Sequence, residues 1–64
     1  MCLSTIYKDK IDDKSILMKN VMSIEMKQNS LIFTDLMERK MEIKGILSKA
    51  NLVDGYVIVH VDEK

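Results

Sequence analysis

The residue best suited to metal chemistry is Cys2, in the opening stretch MCLSTIY, and it is the chain's one cysteine. A thiolate is a soft ligand. At the start of a chain it also stands beside nitrogen donors that a mid-chain cysteine lacks. If Met1 is removed, the free amine and the thiolate of Cys2 close a five-membered chelate. If Met1 stays, its amine, the Cys2 amide nitrogen and the thiolate form two fused rings of the same size. Mixed nitrogen and sulfur donors suit Ni(II) or Cu(II). The competing reading is a small residue packed in a first strand, because free cysteine is among the most buried residue types.

Other residues offer less. His60 is a potential ligand for Ni or Zn, but beside Asp62 and Glu63 it reads as a solvated strand-end residue. Among six methionines, Met18, Met22 and Met26 are evenly spaced and suggest a thioether site for Cu(I). Core packing is the stronger reading, since Met22 and Met26 fall on the apolar face of Ile24. Asp12, Asp13, Asp35 and Glu38 have no nucleophile or base to work with. With no glycine-rich phosphate loop, HExxH or CxxC, no enzyme is expected. Tyr7, Phe33 and Tyr56 could stack bases, yet three aromatics without a basic stripe make a poor platform for nucleic acid. Lys8, Lys10, Lys14 and Lys19 alternate with Asp9, Asp12 and Asp13 and read as a solvated face.

The elements that must position these residues follow from pattern. Sixty-four residues, 47% hydrophobic and 31% charged, form at most one small folded domain, taken as residues 1–64. So short a chain has a thin core, and one cysteine cannot close an internal disulfide, so oligomerisation is the favoured remedy. A net charge of zero gives no pull toward phosphate backbones or anionic lipid. The longest apolar runs, YVIV and SLIF, fall far short of a membrane span of roughly 20 residues, and no signal-peptide pattern is present. A cytoplasmic location is expected.

Three segments alternate with period two: Met22, Ile24, Met26; Met41, Ile43, Gly45, Leu47; and Val57, Val59, Val61. CLSTIYK, SILMK and SLIFTD add three short apolar or β-branched runs bounded by polar clusters. The expectation is an all-β chain of about six short strands in an antiparallel meander. A turn is expected at Asn29, which tolerates positive φ, and another at the hairpin pair Asp54-Gly55. Gly45 suggests a bulge or sharp bend. The segment DLMERKMEIKGILSKA is rich in helix formers, but as a helix its apolar positions are interrupted by Lys40 and Lys44, so period two describes residues 41–47 better.

The opening MCLSTIY, the stretches ILMKNV and SIEM, the central IFTDLMERK and the closing ANLVDGY followed by VIV stand in the order and spacing of a known family. The chain resembles the CooT-type small nickel-binding proteins, which are also described as predicted RNA-binding proteins. The resemblance implies a small, strongly bent antiparallel sheet or barrel, SH3-like or Sm-like, that forms a homodimer. It further implies binding of Ni(II) through Cys2, and the chemistry of the chain start adds its backbone nitrogen, with the Met1 amine as a further donor if Met1 is retained. Nickel would be delivered to an enzyme such as carbon monoxide dehydrogenase or handed to its maturation factors. A two-fold dimer would set two copies of Cys2 against each other, because such interfaces are isologous. The chain departs from many relatives at Met37-Glu38, where they carry Phe-Gly, and at Gln28-Asn29, where they carry Gly-Asp. The alternative function is that of a small β-barrel adaptor binding RNA or a protein partner.

Overall fold

Alternating apolar and polar residues leave most strands one face to bury, and the chain buries those faces by curling its sheet into a ring around the run SLIFTD, which is buried along nearly all its length. The computed structural model describes residues 3–62. Five strands, β1 (Ser4–Lys8), β2 (Ile16–Met26), β3 (Ser30–Asp35), β4 (Lys40–Asn51) and β5 (Tyr56–Val61), form a closed barrel in the order β1-β2-β3-β4-β5. A single 3-10 turn, Asp13–Ser15, precedes β2 and is capped by the Asp12 carboxylate, which accepts from the Lys14 amide at 3.0 Å. No helix among the described residues is long and apolar enough to cross a membrane.

The expected all-β class holds, with five strands in place of about six. SILMK and the Met22–Met26 run belong to one strand of 11 residues. Asn20, at φ 57, interrupts its pleat without ending it. Asparagine accepts this left-handed geometry more readily than most residues. The bulge lets β2 change neighbours: Ile16, Met18 and Val21 pair with β1, and Val21 to Met26 pair with β3. β4 divides its length in the same way, Lys40–Lys44 against β3 and Gly45–Asn51 against β5.

The meander is antiparallel at every consecutive step, but β1 and β5 close the ring in parallel, Thr5 opposite Tyr56 through Lys8 opposite Val59. Parity requires this. An odd number of strands that reverse direction at each turn ends in the direction in which it began.

The core is Ile6, Val21, Leu31, Phe33, Val57 and Val59, with Leu17, Met18, Ile24, Met41, Ile43 and Val61 packed around it. The β5 alternation is therefore as expected, and β4 alternates through Gly45 before Leu47 turns partly outward. The expectation for Met22 and Met26 is overturned: both are exposed, Met26 at 68%. Of that run only Ile24 packs on the core, and the buried residue of the stretch is Val21, next to the bulge at Asn20.

Gly45 sits where β4 passes from β3 to β5. A Cβ there would overlap the His60 carbonyl oxygen and stand 3.1 Å from Val61 Cα, so glycine is required for close approach of two backbones. The expected bulge lies further on, between Leu47 and Lys49. The turn after β2 forms where expected, but Asn29 is not left-handed; among the described residues Asp9, Asn20, Glu38 and Gly55 are. Asp54-Gly55 likewise does not make a two-residue hairpin. It ends a four-residue turn, 52–55, held by the Gly55 amide donating to the Asn51 carbonyl at 2.9 Å and by the Asn51 side chain accepting from the Val53 and Asp54 amides.

Candidate functional site

Cys2 and Met1 lie outside the described residues, so the site begins with what surrounds the start of β1. Ser4 pairs with Val21, and the Thr5 amide donates to the Gly55 carbonyl at 2.9 Å. A Cβ at Gly55 would come within 3.1 Å of the Leu3 carbonyl oxygen. The chain thus enters the barrel pressed between β2 and the β4–β5 turn, and the small residue at position 55 makes the room.

Beside Ser4 opens an apolar concavity of about 280 Å³, floored by Val21 and Val57 and walled by Met22, Met26, Leu47 and Leu52. It lies between the half of β2 that has left β1 and the half of β4 that has left β3. Leu52 and Val53 of the adjoining turn project outward, Val53 at 92% exposure. Sequence reasoning missed this face. Its one signal was two large apolar residues, Leu52 and Val53, directly before Asp-Gly in a turn, where polar residues are usual.

The remaining candidates are not gathered into one constellation. His60 is exposed at the end of β5, its Nδ1 3.0 Å from Asp9 Oδ1, which ties the loop after β1 to the last strand. Among the described residues no group of three or more His, Cys, Asp or Glu side chains could hold a metal ion. Met18 packs on the core, away from Met22 and Met26 on the open concavity. Phe33 is fully buried and unavailable for stacking, while Tyr7 and Tyr56 meet edge to face at 6.5 Å with Lys49 Nζ 5.9 Å from the Tyr56 ring centre. Of the four lysines read as one face, Lys10 pairs with Asp12 at 3.8 Å, whereas Lys19 lines a separate concavity with Arg39 and Lys40.

Asp35 is a buried carboxylate, and its role is structural. It is 2% exposed. Its Oδ1 accepts from the Met37 and Arg39 amides and its Oδ2 from Arg39 Nε, all at 2.9 Å. Burial works against the ionised form, but the hydrogen bonds from Arg39 and Met37 and the Arg39 charge outweigh it and lower the pKa. This clamp holds the β3–β4 turn, in which Glu38 takes φ 64. Glu38 thus holds a left-handed geometry that glycine would take without strain. No buried side-chain nitrogen or oxygen among the described residues lacks a partner.

Comparison with known proteins agrees with the architecture. The chain is similar over 97% of its length to all of a crystal structure ascribed to CooT from Carboxydothermus hydrogenoformans, with a TM-score of 0.83 and 14% sequence identity, which shows a shared fold. No curated protein matches the sequence. The family model described as CO dehydrogenase accessory protein CooT matches residues 1–60. That description is of an accessory protein to CO dehydrogenase and not of the enzyme itself. By that near-complete match, the chain belongs to the CooT family of CO dehydrogenase accessory proteins.

Proposed function

We propose that this protein, as one CooT-like β domain over residues 1–64, is a cytoplasmic nickel-handling protein that carries Ni(II) as cargo to a nickel enzyme such as CO dehydrogenase or to its maturation factors. The observation that carries the reading is the family match over residues 1–60, which includes Cys2. The donor set fits the cargo, because a thiolate with adjacent backbone nitrogen, supplemented by the Met1 amine, gives the mixed ligation that Ni(II) accepts. One chain supplies few strong donors, so the ion is shared by two copies of Cys2 across a homodimer. The exposed apolar concavity beside Ser4 supports this, since it offers a surface for a second copy at the end of the barrel where β1 begins.

The test is titration of reduced protein with Ni(II). One ion per dimer is expected, with a thiolate-to-metal charge-transfer band and an affinity that falls as pH drops, because thiol and nitrogen donors must lose protons to bind. Cys2→Ser should abolish the band and most of the affinity, and His60→Ala should matter far less. If the serine variant binds nickel as tightly as the native chain, the proposal fails.

A further inference from the structure

The β3–β4 turn is built with more care than a plain connection needs. Four residues, 36–39, separate Asp35 from Lys40, yet the turn is held by the three bonds to the Asp35 carboxylate, by the Glu38 amide donating to the Asp35 carbonyl at 2.9 Å, and by the Leu36 amide donating to the Asn20 carbonyl at 2.8 Å. On this scaffold Leu36 and Met37 point outward, Met37 at 73% exposure. Arg39 uses its Nε on Asp35 while its side chain stays 76% exposed, which leaves the terminal N–H groups of an oriented guanidinium facing solvent.

Beside the turn, Lys19 of β2, Arg39 and Lys40 line one concavity of about 500 Å³ together with Leu17, Met18 and Met41. Three cations line the concavity with a single carboxylate, Asp35, both of whose oxygens are already engaged, and the turn adds one exposed carboxylate, Glu38, so the balance of Lys19, Arg39 and Lys40 against Asp35 and Glu38 stays positive by one. The chain's net charge is zero, so this positive end is a local arrangement and not a by-product of a basic protein.

We propose that the β3–β4 turn with Lys19, Arg39 and Lys40 is a docking site for an acidic, apolar-bearing face of a partner protein. The charge calls for carboxylates, which the Arg39 fork can take in bidentate fashion. The exposed Leu36 and Met37 call for apolar side chains next to them, and methionine and arginine are enriched where proteins meet. A turn already fixed by the Asp35 clamp loses little freedom on binding. The surface is distinct from the concavity beside Ser4, and its role does not depend on nickel at Cys2.

The probe is a short synthetic peptide alternating glutamate and leucine, followed by two-dimensional NMR on the full-length protein. The amides of Lys19, Met37 and Lys40 should shift, and the Lys19→Glu/Lys40→Glu double variant should weaken binding roughly tenfold, as expected for charge pairs in a partly desolvated contact. Its melting temperature and nickel binding should match those of the native chain, which excludes misfolding as the cause. Arg39→Lys, which keeps the charge and loses the fork, should weaken the peptide as well. Absence of shifts at these amides, or unchanged affinity in the double variant, overturns the proposal. Tighter binding of single-stranded oligouridine than of the peptide at the same amides would also overturn it, in favour of a phosphate-binding surface.

Discussion

A buried carboxylate must be surrounded by donors or it does not stay ionised, and Asp35 is surrounded. Its native pKa is below the ordinary value of 3.8. The group is thus more acidic folded than unfolded, so its contribution to stability is present above pH 3.8 and is lost as the pH falls through the lowered native value. Asp35→Asn removes this dependence along with the pairing to Arg39. Thermal melts against pH should show the native chain losing stability faster than the variant below pH 4, and the variant should melt lower at neutral pH by roughly 5 °C or more. Parallel acid limbs for the two proteins would show that Asp35 does not carry the effect. DLMERK contained the clue, since an aspartate at a strand end favours Asx-type bonding to amides two residues on. Its burial could not be read there, because it follows from pairing with Val21 of a different strand. The Cys2 reading rests on family resemblance and position and lies outside the described residues, while the wall of Met22, Met26, Leu47 and Leu52 needed the fold to bring distant residues together.

At the scale of elements, the two long strands are what make a ring possible. β2 and β4 each serve two neighbours, changing over at Val21 and at Gly45. The second changeover depends on a missing side chain. Gly45→Ala should force β4 and β5 apart at His60 and cost about 3 kcal/mol, the upper end for overpacking, because the obstacle is backbone and cannot rotate away. Urea unfolding of the variant measures it, and a loss below about 0.5 kcal/mol, the range of a neutral surface change, would mean that the strands have room to spare. Period two identified β4 and β5 correctly and set aside a helix over residues 35–50, because lysines at 40 and 44 broke every helical stripe. It failed on β2. A local pattern cannot see that Val21 beside a left-handed asparagine will be buried while Met22 and Met26 stay exposed, nor that SILMK and the run from Met22 are one strand.

At the scale of the whole molecule, six buried apolar side chains make a small core for a closed barrel. The all-β class was legible from alternation, but closure was not, because the β1–β5 pair joins residues from opposite ends of the chain and leaves no local trace. A core this small, with an exposed apolar wall beside it, predicts a homodimer whose stability depends on concentration. The melting temperature should rise by roughly 3–6 °C for a tenfold increase in protein. Met26→Lys, on the rim of the concavity, should shift sedimentation toward the monomer. A native chain that sediments as a monomer at micromolar concentration, with a melt indifferent to concentration, would remove the basis for a shared nickel site.

The parallel closure has a mechanical consequence. Because β1 and β5 run side by side in one direction, the start of β1 and the end of β5 lie at opposite ends of the same pair, with the Thr5–Gly55 and Asp9–Val59 hydrogen bonds near its two limits. Tension applied through the two ends of the chain therefore loads the whole ladder at once, as a lap joint is loaded, and does not peel it bond by bond as it would an antiparallel hairpin. The seam that joins residues furthest apart in sequence is also the one that a pull along the chain must shear in a single step.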